Sequence, residues 1–125
     1  ISAMFRVDAS TTATRFGLKG RVAADETTTI GYNRQQLRLY LDRSYSGGQV
    51  PVFGAPQVVV LRPRDDLIEL RILVDTSSLE VFADGGHTVL TNQIFFSRAG
   101  GGLELFADDG AVVLERLTVV PLGTL

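Results

Sequence analysis

The sequence contains no cysteine and a single histidine, His87, among its 125 residues. Disulfides are therefore unavailable, and a structural zinc site, which takes several Cys or His ligands, is excluded. A nucleophilic triad requires a histidine as its base. His87 follows a Gly-Gly turn at the start of a predicted strand, and we interpret it as a solvent-facing side chain. We expect no metal and no cofactor.

Long apolar runs and a basic excess are also missing. No stretch approaches the eighteen or so apolar residues of a membrane helix, so we expect no membrane partner. The formal net charge is -2, whereas nucleic-acid binders usually carry a basic face, so we expect no nucleic-acid partner. The chain starts in what already reads as a strand, with no signal peptide. We therefore interpret residues 1–125 as one domain excised from a longer protein.

Apolar and polar residues alternate with a period of two along most of the chain. Ile68, Leu70 and Ile72, for example, alternate with Glu69 and Arg71. This alternation is typical of strands with one buried face, and turn residues recur about every ten positions. The sequence predicts an all-β fold, a two-sheet antiparallel β-sandwich of the jelly-roll or concanavalin-like type.

Ten strands and one long loop follow from these patterns. The loop is placed at 43–56, where Gly47, Gly48, Pro51, Gly54 and Pro56 cluster. The predicted strands are 2–8, 14–23, 26–33, 36–42, 57–62, 67–75, 78–84, 87–96, 102–107 and 111–121.

Several segments resemble a known enzyme family. Residues 74–82 fit the pattern Val-Asp-x-Ser-x-x-Glu-x-Phe, and residues 39–47 are similar to Leu-Asp-Arg-x-x-Ser-Gly. Both resemble the C-terminal β-sandwich of glycoside hydrolase family 32, which includes invertases, levanases and inulinases. Weaker similarity continues through residues 88–96, 16–19 and 30–32.

The resemblance implies a parent enzyme and places its chemistry elsewhere. In this family the catalytic carboxylates lie on an N-terminal five-bladed propeller, in the motifs Asn-Asp-Pro, Arg-Asp-Pro and Glu-Cys. None of these motifs occurs here, and glycoside hydrolysis needs two carboxyl groups flanking the scissile bond. We therefore expect the isolated domain not to be an enzyme. The resemblance implies a parent that acts on β-fructosides, such as a levanase, and is secreted.

Candidate sugar-binding residues cluster in the first half of the chain. Sugars are bound by flat aromatic rings and by charged groups that hydrogen-bond to hydroxyls. The three tyrosines, Tyr32, Tyr40 and Tyr45, lie close together with Asp42 and Arg43 among them. Tyr40 and Asp42 share one face of a predicted strand, and Tyr45 is placed at the start of the long loop. The alternative is that Tyr40 only covers the sheet and that Asp42 and Arg43 pin the loop.

Asp75 and Glu80 are the remaining candidates for substrate binding. Asp75 can equally open a turn by accepting backbone N–H groups. Glu80 and Phe82 alternate with Leu79 and Val81, which places them on an outer face. Together with Phe106 they could form a docking face for the propeller; alternatively the strand is covered on both faces and Phe82 belongs to the core.

Two functions remain open at this point. The first is a non-catalytic carbohydrate-binding module for fructans, either levan or inulin. The second is a structural domain that stabilises the catalytic propeller or mediates dimerisation without binding sugar. The first has a fructan polysaccharide or oligosaccharide as its partner, and the second has the propeller or another copy of the chain.

Overall fold

The described structure consists of short strands in which buried and exposed side chains alternate. In the computed structural model, the described residues are 1–23, 26–45, 57–74, 78–83, 88–93 and 103–119. They form ten β-strands and no helix, which confirms the all-β prediction. The strands are β1 (Ser2–Arg6), β2 (Arg15–Ala23), β3 (Glu26–Asn33), β4 (Arg38–Tyr45), β5 (Gln57–Val60), β6 (Leu67–Val74), β7 (Ser78–Ala83), β8 (Thr88–Gln93), β9 (Leu103–Asp108) and β10 (Val113–Thr118).

The strands make two five-stranded antiparallel sheets. Sheet A has the order β10-β1-β6-β7-β8, and sheet B has the order β5-β4-β3-β2-β9. Many neighbours are consecutive in the chain, as expected for hairpins and meanders. The pairs β1–β6, β1–β10 and β2–β9 join distant segments. The predicted two-sheet sandwich is therefore confirmed.

Aromatic side chains from both sheets meet in the core. The Phe5 ring of sheet A lies 4.9 Å from the Phe16 ring of sheet B, measured between centroids. Phe16 lies 5.5 Å from Tyr32 in the same way, and both pairs are tilted. Such pairs contribute about 0.5–1.5 kcal/mol each beyond their area burial. The three rings therefore hold the two sheets together at the centre of the sandwich.

Tyr32 is a core residue, which corrects its prediction as a sugar ligand. Its side chain has 0% of its surface exposed, so no sugar ring can stack on it. Its hydroxyl donates a 2.6 Å hydrogen bond to the carbonyl of Leu61. The physical reason is the alternation of side chains along a strand. Tyr32 stands two residues after Ile30 and therefore shares the inward face of β3 with it, and Ile30 is also buried.

Strand β4 is longer than predicted, which corrects the start of the long loop. Arg43, Ser44 and Tyr45 pair with Thr28, Thr27 and Glu26 of β3. The backbone N–H and C=O groups of β3 form hydrogen bonds along its whole length. Residues 43–45 pair with the first part of β3, and β4 therefore continues to Tyr45. Tyr45 is therefore the last residue of a strand, and residues 46–56 lie outside the described part of the chain.

Two glycines of β2 should respond oppositely to alanine. A Cβ at Gly20 would meet no atom within 4 Å, whereas a Cβ at Gly17 would lie 2.1 Å from the Ile30 carbonyl oxygen. Gly17 also has a φ of +153°. We expect Gly20→Ala to raise the free energy of unfolding by about 0.4–1 kcal/mol, because it restricts the unfolded chain. Gly17→Ala should lower that free energy by more. Urea denaturation measures both, and equal effects would contradict the assignment.

Tyr32 should make the fold sensitive to alkali. Burial raises the pKa of Tyr32 from 10.0 to about 12, with Arg62 opposing. The native state therefore holds the proton of the Tyr32 hydroxyl more tightly than the unfolded state does. The contribution of the protonated Tyr32 to the free energy of unfolding is complete below pH 10 and is lost as the pH rises through 12. Tyr32→Phe should be the less stable protein at pH 8, by about 1 kcal/mol for the lost hydrogen bond.

The stability gap between the two proteins gives the measurement. It should narrow and then change sign as the pH rises from 10 towards 12, because only the wild-type chain has to deprotonate the buried Tyr32 hydroxyl. Denaturant titrations at several pH values follow this difference. A gap that stays constant over the range would contradict the proposed role of the Tyr32 proton.

Candidate functional site

A line of directly paired residues crosses the outer face of sheet B. It runs over all five strands through Val58, Tyr40, Gly31, Gly17 and Phe106, each opposite the next in the ladder. We call this line the central row. Neighbouring inward positions, such as Phe16, Leu18 and Leu39, are buried, so the central row faces away from the core. It combines two aromatic residues with two glycines.

The Tyr40 ring lies over Gly31. A Cβ added to Gly31 would stand 2.3 Å from both Cζ and the hydroxyl oxygen of Tyr40. The end of the ring therefore occupies the space that a side chain at position 31 would fill. Side chains usually stand roughly perpendicular to a sheet, so the missing Cβ is what allows this ring to reach across the neighbouring strand. Tyr40 remains partly exposed in this position.

Polar and charged residues line both sides of the central row. On one side, the Lys19 row is a paired line that consists of Glu104, Lys19, Thr29 and Asp42. On the other side, the Arg15 row is a paired line that consists of Asp108, Arg15, Asn33, Arg38 and Val60. Each row stands two residues along the strands from the central row, which is about 7 Å. Hydrogen-bonding groups therefore flank an aromatic surface on both sides.

The charges on both sides act on Tyr40. Burial raises the pKa of Tyr40 above its ordinary value, Arg15 lowers it, and Asp108 and Asp42 raise it. The phenol therefore keeps its proton at neutral and mildly alkaline pH, where its hydroxyl can both donate and accept a hydrogen bond. The same interactions connect Tyr40 with Asp42 on one side and with Arg15 and Asp108 on the other.

The far end of the central row carries a cation on an aromatic ring. The Lys19 ammonium lies 4.6 Å from the centroid of Phe106, which is within the range of an attractive cation–π interaction. Lys19 is the single lysine of the sequence. Its ammonium has three donors, so this end of the row offers a hydrogen-bonding group as well as an apolar one.

The sequence-predicted site residues separate in the structure. Tyr40 and Asp42 lie together on the outer face of sheet B, as their alternation predicts. Arg43 and Tyr45 are paired with Thr28 and Glu26 in β4, and their side chains are outside the described set. Asp75 lies outside the described residues altogether.

Glu80 and Phe82 belong to the other sheet. Both are outer-face positions of β7 in sheet A, where Phe82 pairs with Arg71 and Glu80 with Leu73. The outward placement of Phe82 is confirmed, because Val81 and Ala83 are the buried positions of that strand. The predicted docking face that joins Phe82 to Phe106 is wrong, since Phe106 lies on the outer face of the opposite sheet.

Apolar side chains are instead exposed at the edge formed by β9 and β10. Leu105 is 47% exposed although it pairs with the buried Leu18, and Leu117 is 39% exposed although it pairs with the buried Ala3. Val119 follows β10 and is 57% exposed. We call Leu105, Leu117 and Val119 the open edge. These inner-side leucines are uncovered because β9 and β10 are the outermost strands of their sheets.

A small cleft lies beside the start of β6. Its volume is about 270 Å³, slightly below the roughly 300–1,000 Å³ of typical ligand pockets. A tight turn borders it, in which Arg64 and Leu67 exchange two 3.0 Å backbone hydrogen bonds and Asp65 and Asp66 have φ values of 54° and 61°. The lining mixes apolar and charged side chains, including Met4, Leu67, Arg62, Arg64, Asp65 and Glu69.

Within the described ranges, no group of three or more His, Cys, Asp or Glu side chains is arranged to hold a metal ion. No helix able to cross a membrane occurs in the described part of the chain. The outer face of sheet B combines aromatic rings with charged and hydrogen-bonding side chains.

Sequence reasoning missed most of this surface. The surface includes Arg15 and Lys19 from β2 and Phe106 from β9. No short turn joins these two strands, so the sequence does not indicate that they pair. A signal did exist for Gly31. The turn at 34–37 between β3 and β4 fixes which residues are opposite, and it places Gly31 across from Tyr40.

Comparison with known proteins gives a consistent match. The family described as "Glycosyl hydrolases family 32 C terminal" matches residues 1–121. A levanase of Bacillus subtilis (strain 168) is 39% identical over 125 residues, which covers 98% of this chain and 18% of the levanase. An extracellular exo-inulinase of Aspergillus niger is 35% identical over 127 residues, which covers 92% of this chain and 23% of the inulinase. The chain therefore spans about a fifth of the length of these relatives.

Solved structures agree with the sequence match. The exo-inulinase from Aspergillus awamori superposes with a TM-score of 0.75 and 31% identity, over 89% of this chain and 22% of that one. Congerin II shares the fold alone, with a TM-score of 0.57 and 19% identity over 91% of this chain and 88% of its own. The chain thus belongs to glycoside hydrolase family 32, in which it corresponds to the C-terminal domain.

Proposed function

We propose that this chain is a non-catalytic carbohydrate-binding module for fructans, levan or inulin, attached to a fructan-hydrolysing enzyme. The outer face of sheet B is the binding surface. The single observation that carries the proposal is the position of Tyr40, whose ring lies across Gly31 with Asp42 two residues along the same strand.

The chemistry of this surface suits a sugar. The ring of Tyr40 offers an apolar face for the C–H side of a furanose, and Asp42 and Arg15 flank it with an acceptor and donors. Hydrogen bonds to ionised groups are shorter and about twice as strong as neutral ones. A shallow surface of this kind buries little apolar area, so we expect modest affinity.

The names of the relatives support a fructan as the ligand. The relatives include a levanase and an exo-inulinase, and this chain covers a small share of each. We propose that hydrolysis is carried out by the remainder of such an enzyme, the N-terminal propeller. The extracellular description of the Aspergillus relatives supports secretion of the parent enzyme.

The open edge favours a second function, a structural interface. Leu105, Leu117 and Val119 expose apolar surface at one margin of the sandwich. Burial against a partner is worth roughly 25 cal/mol for each Å² of apolar surface removed from water. The partner is the catalytic propeller of the parent enzyme or a second copy of the chain. This function uses a different margin of the domain and does not compete with sugar binding.

Binding to levan and inulin tests the first function. We expect measurable heat in isothermal titration of the chain with millimolar fructan. Tyr40→Ala should weaken binding about tenfold, because about 1.4 kcal/mol is a typical loss when a central aromatic contact is truncated. Asp42→Asn should weaken it less, because a neutral hydrogen bond remains.

A matched control lies on the opposite sheet. Glu80→Gln removes one carboxylate from the outer face of sheet A, and we expect it to leave the affinity unchanged. Tyr40→Phe distinguishes the part of the ring from the part of the hydroxyl in sugar binding, because this variant keeps the ring over Gly31 and removes only the hydroxyl. Heat no larger than that of buffer dilution, or an equal loss in Glu80→Gln and Tyr40→Ala, would refute the proposed surface.

Self-association tests the second function. We expect the isolated chain to elute above 13.5 kDa in concentrated size-exclusion runs, because the open edge is apolar. A Leu105→Lys/Leu117→Lys double variant should elute as a monomer, since charges on edge strands prevent pairing. A wild-type chain that stays monomeric at high concentration and does not bind the propeller would rule this function out.

A further inference from the structure

We propose that the outer face of sheet B binds an internal run of several sugar units, laid across the strands along the central row. This inference rests on the proposed function and adds the form of the ligand: a length of polymer rather than one terminal residue. Four features of the described residues carry it: the length of the row, its floor, its ends and its charges.

The length of the central row exceeds that of a single sugar. The row crosses five strands from Val58 to Phe106. Adjacent strands are about 4.8 Å apart, so the four intervals span about 19 Å. A furanose ring is about as wide as one such interval. The row therefore offers room for about four units.

The centre of the row consists of two glycines, so the floor carries no side chain of its own at Gly17, and at Gly31 it is formed by the Tyr40 ring. Gly17 excludes any side chain, since a Cβ there would lie 2.1 Å from the Ile30 carbonyl oxygen. At Gly31 the end of the Tyr40 ring fills the equivalent space. The Lys19 row and the Arg15 row stand on either side, about 14 Å apart. From this placement we infer a shallow trough that runs perpendicular to the strands, with the Tyr40 ring over Gly31 and the Lys19 ammonium over Phe106.

Both ends of this trough are at the margins of the sheet. At one end Val58 is 49% exposed on the edge strand β5. At the other end Phe106 lies on the edge strand β9. A polymer that lies along the row would therefore reach both margins of the described sheet.

The charges along the trough balance. The Lys19 row contributes one ammonium and two carboxylates, and the Arg15 row contributes two guanidiniums and one carboxylate. The sum is zero, which favours a neutral polyhydroxyl ligand over an anionic polysaccharide or nucleic acid. The two rows mix donors and acceptors across β9, β2, β3 and β4, as repeated hydroxyl groups require.

Lys19 and Phe106 form the end of the trough furthest from Tyr40. The Lys19 ammonium rests on the Phe106 ring, and both residues are partly exposed. A sugar that reaches this end meets the ammonium donors directly. A short ligand stacked on Tyr40 alone does not reach them. These two residues should therefore determine the preference for longer ligands.

A length series tests the inference. We expect the affinity in isothermal titration to rise from fructose through fructo-oligosaccharides of two and four units, and to level off at about four units. Affinity for fructose equal to that for the four-unit ligand would overturn the inference and leave the proposed function intact. Absence of binding at every length, and to polymeric fructan, would overturn both.

The single lysine gives a second measurement. Amine-selective labelling followed by peptide mass spectrometry reports on the exposure of Lys19. We expect four-unit ligands to protect Lys19 and fructose not to protect it, at concentrations that saturate each. Equal protection by both ligands would place a single sugar at the Lys19 end and overturn the inference.

Two variants separate the parts of the trough. Phe106→Ala should weaken binding of the four-unit ligand about fivefold to tenfold and leave the two-unit ligand nearly unchanged. Gly31→Ala should weaken both, because its new Cβ displaces the Tyr40 ring. Gly20→Ala is the matched control, since its Cβ meets open space, and should change neither. An equal effect of Phe106→Ala on both lengths would contradict a trough that extends to β9.

Discussion

The close pairing of β2 with β3 at Gly17 and Gly31 is the constraint on which the rest of sheet B depends. These two glycines lie directly opposite each other, and a Cβ at Gly17 would collide with the backbone of Ile30. The same register pairs Phe16 with Tyr32 and Leu18 with Ile30. One ladder therefore fixes an aromatic core on its inner side and, on its outer side, the pair of glycines, with the Tyr40 ring over Gly31.

The inner and outer faces are coupled through that register. A slip of one residue would move the whole set of side chains to the other face. The Phe5, Phe16 and Tyr32 rings would then lose their contacts across the core, so core packing holds the ladder in place. The backbone of the outer row is held in register as a consequence, so ligand binding does not have to order it. Rigid surfaces lose less conformational entropy when a ligand binds.

The strands could be predicted from the sequence because each buried face repeats every second residue. The same alternation also predicts that Tyr32 is buried, because Tyr32 shares its face of the strand with Ile30 and not with Gly31. The end of β4 was missed because Arg43, Ser44 and Tyr45 show no apolar alternation, and the ladder with β3 alone makes them a strand. The pairing of β2 with its second neighbour, β9, could not be predicted from the sequence. No hairpin turn sets the register of β2 with β9, so the proximity of Lys19 and Phe106 required the structure.

Strand β9 connects the two candidate functions. Phe106 faces outward at the end of the trough, whereas its neighbour Leu105 faces the inner side and contributes to the open edge. Alternation along a strand places consecutive side chains on opposite faces. A partner covering Leu105 would therefore stand beside the Phe106 end without filling the trough. Interface and sugar surface then share one strand, and a polymer leaving the trough at this end passes next to whatever covers the open edge.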